Sequence, residues 1–510
     1  MIRDLPRRSM VTAELTRKPA PRRFAAPLPG DALIMAMVGA SMVLGGGGIY
    51  NPQTEIMLEL VVVACMIPLC ISSSFNRGLG PISPMAWLLA GIVLWLPLAQ
   101  LIPLPPALWQ ALPGRDIEVK SIALAGNPDR WMPLSMAPAR TFTALLSMIF
   151  PALLMLQVSR LPIRSRRWLC ATIAAVGALS IVLGMLQISR TGGSTWSLYS
   201  YVSTNSLIGF QANRNHEADL LHIALLAFCA LIAPRLMDGR RHLASWFAVA
   251  GAIVIFLTGV LMTGSRTGIA LSALTLALIL ALVWPALRKN LPSAPRLLAG
   301  SLALAAVAFG LLQLNSVHRV MLRFWFTDDA RSDLWIDAAN VLHQVWPLGA
   351  GIGTIAPLLA AAERLDALGP TFPNRVHNDW FEWMIEAGVP GIAVLVLVLL
   401  ILAILAYRAF RLSAAPDSAP ARRSQTIFAI GALLIVALHS IVDYPLRSMA
   451  LAMLASMAAG FLMMPARSRP GGGSMMLWIK TECGNIASCA GNFDRLSDAR
   501  GTILRERKSQ

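Results

Sequence analysis

The strongest chemical signal in the chain is His377-Asn378-Asp379-Trp380-Phe381-Glu382, continuing through Glu386 to Gly388, Pro390 and Gly391. Asn378 or Asp379 can cap a short helix that Gly388 and Pro390 would stop. His377 then stands at a helix N-terminus, where backbone N–H groups and the dipole favour an anion and disfavour a protonated imidazole. A neutral imidazole there can accept a proton, with Asp379 or Glu382 to orient it. The same pattern also suits a loop histidine that merely hydrogen-bonds the helix cap. Three further stretches carry reactive or anion-binding side chains. Gly264-Ser265-Arg266-Thr267-Gly268 is a tight turn between two apolar runs, and Arg266 has no acidic partner nearby in sequence. It either snorkels to the interface, pairs with a distant carboxylate, or binds an anion. Asn213, Arg214, Asn215, His216, Glu217 and Asp219 crowd the start of another apolar run, and Asp219, lying inside it, wants a cation. In Asp443-Tyr444-Pro445-Leu446-Arg447, preceded by His439, Asp443 and Arg447 can pair with each other or face a ligand. Arg331 and Asp333 complete the set.

The elements that must position these groups follow from hydropathy. The chain has 510 residues, 56% hydrophobic and 14% charged, where a soluble protein carries about 25% charged residues. Apolar runs of roughly twenty residues, each able to cross a hydrocarbon core, recur along it. They fall near 31–50, 54–73, 85–104, 139–158, 167–187, 216–234, 243–262, 268–286, 297–315, 390–407, 425–442 and 448–465. The expected fold is an all-α integral membrane protein of about twelve spanning helices, with a long, partly helical loop between the ninth and tenth.

Charge fixes the expected orientation. With the N-terminus inside, every strongly basic loop is cytoplasmic: Arg160, Arg164, Arg166 and Arg167; Arg235, Arg240 and Arg241; Arg288, Lys289 and Arg296; and Arg408, Arg411, Arg422 and Arg423. The net charge of +17 is therefore read as a positive-inside signature, and no nucleic-acid partner is expected. The chain divides into a basic cytoplasmic arm (1–30), nine spans (31–315), a periplasmic loop with the His377 motif (316–389), three spans (390–465) and a cytoplasmic tail (466–510). Within the loop, 328–346 reads as an amphipathic helix with Leu334, Trp335, Ala338, Leu342 and Val345 along one side. That stripe suits either the membrane surface or packing on the bundle. A second helix is expected near 356–368, then a break at Pro370–Pro373.

On this topology Arg214, Arg266, Arg331, Arg447 and His377 all lie on the outer side. Arginines gathered near one histidine suit a phosphate or diphosphate, which guanidinium binds by paired hydrogen bonds. No carboxylate cluster has metal-ligand spacing, and neither CxxC nor Cys/His spacing occurs among the six cysteines, so no metal and no cofactor is expected.

These motifs resemble the O-antigen ligase and polymerase superfamily, bacterial enzymes acting on polyprenyl-diphosphate-linked glycans. The family's signature, His followed by Asn, Ser or Gln, nine residues and Gly-x-x-Gly, is matched by His377, Asn378, Gly388 and Gly391. Gln100 to Pro106, Asn213 to His216, Ser265-Arg266, Pro347 to Gly353 and Asp443 to Arg447 are similar to other family stretches, in the same order. Thr267, Ile355 and Trp380 depart from the usual glycine, aromatic and tyrosine. The resemblance implies glycan transfer from a polyprenyl diphosphate to an acceptor hydroxyl at the periplasmic face of the bacterial inner membrane, in surface polysaccharide synthesis. It implies His377 as general base or acceptor-positioning group, and Arg214 and Arg266 holding the diphosphate. Asn213, His216, Arg331, Asn378, Asp379, Asp443 and Arg447 are the accompanying substrate-binding candidates. The partners expected are the lipid-linked glycan, a glycan or lipid acceptor and membrane lipids. A polymerase or a protein O-oligosaccharyltransferase fits the same resemblance. From other classes, a lipid or glycan transporter predicts inverted repeats, which the sequence lacks, and an assembly subunit predicts a dispensable His377.

Overall fold

The computed structural model describes residues 26–47, 52–189, 196–200, 202, 206–238, 243–289, 331–366, 374–415 and 418–463. The expected ninth span at 297–315, the loop up to residue 330, the Pro370–Pro373 break, most of the basic arm and the tail lie outside them. Everything below concerns the unit Met1–Pro465.

Helices at eleven of the twelve expected segments are present. These are α1 (Pro29–Leu44), α2 (Pro52–Ile71), α3 (Pro84–Gln100), α6 (Pro138–Ser159), α7 (Ile163–Ser189), α8 (Arg214–Leu236), α9 (Leu243–Thr263), α10 (Arg266–Lys289), α13 (Asp379–Ser413), α14 (Pro420–His439) and α15 (Met449–Leu462). Eight are long and apolar enough to cross a membrane, while α1, α3 and α15 are shorter apolar helices. Pro at the first turn starts α1, α3, α6 and α14, where its fixed φ suits a helix and its missing N–H costs nothing.

Burial separates the core helix from the rim. The apolar window of α8 is 78% buried although its hydropathy is only 1.8, whereas that of α13 is 11% buried at 3.1. α8 packs against α7, α9, α10 and α14, so its polar side chains meet protein rather than lipid. α13 instead exposes Val396, Leu400 and Ile404, the pattern of a helix facing hydrocarbon.

Two non-spanning regions cover the site end. Between α3 and α6, Pro103–Leu104 (β1) pairs antiparallel with Met132–Pro133 (β2), enclosing α4 (Pro106–Trp109) and α5 (Asp116–Leu124). Between α10 and α13 lie α11 (Arg331–Val345) and α12 (Ile355–Ala362). The apolar stripe of α11 is buried in a small core of its own: Ala338, Val341 and Val345 pack with Ile355, Leu359, Val376 and Ile385. The side of α11 that carries Ala338, Val341 and Val345 therefore packs on protein. Arg364 secures it by bonding Asp337 at 2.8 Å and Asp333 at 2.9 Å.

Candidate active site

The site is assembled where the start of α13, the start of α8 and the turn after α14 converge. Asn378 caps α13, its side-chain oxygen accepting from Phe381 N at 3.0 Å. The preceding residue, His377, has φ +54°, a left-handed conformation a non-glycine residue adopts only when its surroundings hold it there. They do so on both flanks. Val376 N donates to Glu382 Oε2 (3.2 Å), Trp335 Nε1 donates to Val376 O (2.9 Å), and Asp379 N donates to Ser440 O (2.9 Å).

That conformation points the imidazole at Asp443. His377 Nδ1 lies 2.9 Å from Asp443 Oδ1, and the carboxylate is fully buried while the imidazole side chain is 33% exposed. The other oxygen, Oδ2, accepts from Asn215 Nδ2 at 2.7 Å and from Asn213 Nδ2 at 3.4 Å. Burial alone would raise the Asp443 carboxyl. The His377 hydrogen bond and the nearby His216, His377 and His439 rings override burial and hold it below the usual carboxylate range. An ionised Asp443 can only accept, so Nδ1 carries a proton and Nε2 is directed away from the carboxylate. Among the described residues nothing bonds that Nε2. Tyr444 packs edge-on against both His377 (4.8 Å between centroids) and His216 (5.2 Å), filling the space between the two histidines.

Arg447 does not pair with Asp443. It enters a buried cluster on the first two turns of α13, 2.8 Å from Glu386 Oε2, 3.3 Å from Glu382 Oε1 and 3.6 Å from Asp379 Oδ1. Arg375 adds a second guanidinium, 2.7 Å from Glu382. Burial disfavours the Arg447 charge, and Glu386, Glu382 and Asp379 more than reverse that, so its proton is held more tightly than in water. Asp379 also accepts from Ser440 Oγ and Leu446 N, both at 3.0 Å. These bonds clasp the 443–447 turn to α13 and so fix the separation of Asp443 from His377.

The glycines have equally definite work. Gly388, at φ +56° and ψ −150°, breaks the helical path inside α13. A Cβ there would meet Pro347 O at 2.2 Å, and one at Gly349 would meet Ala387 N at 2.7 Å. The 347–353 loop is therefore pressed against the kink. Ala350 N donates to Ile385 O (3.0 Å), Gly351 N to Glu386 O (2.8 Å) and Val389 N to Pro347 O (2.8 Å). Glu386 Oε1 accepts from Gly353 N at 2.8 Å, and Gln100 bridges Ile352 N and Glu386 O.

Each of the three remaining arginines is the first residue of its helix: Arg214 of α8, Arg266 of α10 and Arg331 of α11. Arg214 is two residues before His216, which packs on Tyr444. Arg266 follows Ser265, whose hydroxyl accepts from Gly268 N at 3.1 Å as an N-cap. Gly268 presses on α8, with its carbonyl 2.8 Å from His222 Nε2. Arg331 lies within electrostatic reach of His439.

Of the sequence candidates, Asn213, His216, Asn378 and Asp443 gather at His377, while Asp379 and Arg447 belong to the clasp beside it. Asp443, and neither Asp379 nor Glu382, orients the histidine. The partner that Asp219 finds is His439, whose Nδ1 lies 2.6 Å from its Oδ1 with both side chains buried. Arg375, Glu386, Tyr444 and His222 were not singled out from sequence. The spacing of Asp379, Glu382 and Glu386, three then four residues apart, was a readable signal: it stacks three carboxylates on one helix face, which demands cations.

No curated protein matches the chain. Residues 251–396 match the family model described as O-antigen ligase, a stretch that includes Arg266, Arg331, His377, Asn378 and both signature glycines but stops short of Asp443. Through that segment, a little under a third of its length, the chain is similar to the O-antigen ligase family.

Proposed function

We propose that the protein is a membrane glycosyltransferase that moves a glycan from a polyprenyl diphosphate to an acceptor hydroxyl at the periplasmic face. The observation that carries this reading is the His377–Asp443 pair: a histidine tied at Nδ1 to a buried carboxylate, with Nε2 directed elsewhere on a partly exposed ring. In this mechanism Nε2 takes the proton of the acceptor hydroxyl as its oxygen bonds to the anomeric carbon. The bond from that carbon to the diphosphate oxygen breaks, and its electron pair leaves with the lipid diphosphate. Asp443 fixes the tautomer and stabilises the imidazolium that forms. Arg214 and Arg266, the first residues of α8 and α10, neutralise the developing charge on the diphosphate. Inversion at the anomeric carbon is expected on family analogy.

The periplasmic placement rests on the charge at the two ends of the bundle. Arg164, Arg166 and Arg167 begin α7, Arg235 ends α8, Arg288 and Lys289 end α10, Arg408 and Arg411 end α13, and Arg422 and Arg423 begin α14. All lie at the end opposite His377, as the positive-inside rule asks when the site faces out.

The test is deletion of the gene, profiling of surface glycan and polyprenyl-linked intermediates, and complementation with His377→Ala and Arg266→Ala. Both variants are expected to leave lipid-linked glycan accumulated at normal protein level. Wild-type glycan from both overturns the assignment. The product pattern separates the reactions, since loss of a polymerase leaves single repeat units attached whereas loss of a ligase leaves the acceptor bare.

A further inference from the structure

At the opposite end of the bundle, α7, α13, α14 and α15 leave a cavity lined by Ile163, Arg166, Arg422, Gln425, Thr426 and Phe461 among others. Its charge is unbalanced. Arg166 is 5% exposed, and its guanidinium donates to the Leu161, Phe461 and Met463 carbonyls and lies 5.2 Å from the Phe461 ring centroid. Carbonyls orient a guanidinium but do not cancel its charge, and a buried uncompensated cation is costly. Its charged neighbour is a second cation, Arg422. Among the described residues neither arginine forms an ion pair with a carboxylate. Two like charges meet at one cavity to which the described residues bring no acid, an arrangement suited to a bound anion.

The cavity also holds an unused acceptor. Gln425 is 5% exposed; its Nε2 donates to Ile163 O at 2.8 Å, while its Oε1 is buried without a partner. Inorganic phosphate, which keeps a P–OH near neutral pH, and a phosphodiester whose headgroup carries a hydroxyl each offer an anion to the arginines and a donor to this oxygen. The position, among helix ends at the arginine-rich face, is where an anionic headgroup meets a membrane protein.

We propose that this cavity binds the phosphate of an anionic phospholipid of the phosphatidylglycerol type. The phosphate faces Arg422 and Arg166, and a headgroup hydroxyl donates to Gln425 Oε1. The site is independent of the glycan-transfer reading and tested separately from it.

The experiment is native mass spectrometry of the full chain in detergent, titrated with phosphatidylglycerol, phosphatidylcholine or inorganic phosphate. Arg422→Ala carries the test, because Arg166 also fastens α7 to α15 and its loss risks misfolding. Arg411→Ala, which removes a charge from the same face but outside the cavity, is the control. Phosphatidylglycerol is expected to be retained over phosphatidylcholine, with Arg422→Ala weakening it about fivefold and Arg411→Ala leaving it unchanged. Equal losses in both variants mean diffuse surface attraction and overturn the site. So does equal retention of the two lipids, or phosphatidylglycerol bound as well by Arg422→Ala as by the parent chain. Phosphate bound as tightly as the lipid assigns a free anion and overturns the lipid.

Discussion

Asp443 is the residue on which the site turns, because it receives His377 from one side and Asn215 from the other while shut off from water. Replacing it with asparagine keeps the volume but offers an amide in place of an obligate acceptor, so the imidazole loses both its tautomer and its counter-charge. Asp443→Asn is expected to lower turnover by about 10²–10⁴, as is His377→Ala, a range typical for loss of general-base assistance. Measured turnover within threefold of wild type for Asp443→Asn would show that the pair is structural only. Local spacing placed His377 at a capped helix start, a pattern that suits a loop histidine as well as a base, and its role came from the family resemblance. Its partner was not legible. The two are 66 positions apart, and nothing in either segment says which of several carboxylates will face the ring.

At the scale of elements, the decisive device is the clasp between α13 and the turn after α14. Arg447 is the cation shared by three buried carboxylates, and removing it strands them. Arg447→Ala is expected to cost about 3–5 kcal/mol of stability, read as a lowered midpoint in thermal unfolding in detergent; an unchanged midpoint sinks the clasp. Gly388→Ala tests the kink on separate grounds: the φ of +56° alone costs roughly 1–3 kcal/mol for an alanine, and Pro347 O leaves a Cβ no room. Loss of folded protein should therefore exceed that of Gly391→Ala, whose Cβ meets a side-chain methyl, Ala387 Cβ, rather than backbone. Helix starts, the kink and the amphipathic stripe of α11 were readable from periodicity and glycine placement. That the stripe would bury against α12 and Val376 was not, because an apolar face states a need for cover without naming what provides it.

For the whole molecule, hydropathy located the apolar segments but ranked them poorly by position. The most hydrophobic, within α13, lies at the rim, and the more polar α8 lies at the centre. The inversion has a physical reason: a helix facing lipid needs apolar side chains along that face, while a central one can give Glu217, Asp219 and His222 each a polar contact, with Ser180, His439 and Thr275. Leu400→Lys on α13 is accordingly expected to reduce the amount of inserted protein, at about 2.5–3.5 kcal/mol for a charge near the helix centre. Unaltered membrane levels would mean that α13 is covered by a partner. For orientation, a periplasm-active reporter fused near residue 410 should be silent, and activity there would reverse the topology.

The hydrogen bonds of Asp443 reach back 228 residues to Asn215 and 66 to His377. In order of synthesis, it is therefore the last of these three groups to leave the ribosome, made when one apolar helix is still to come. A chain already holding its histidine and its helix-start arginines has no means to set the imidazole until that turn arrives. On the proposed mechanism an incomplete chain therefore lacks a working base, and a truncation before residue 443 should insert yet stay inert.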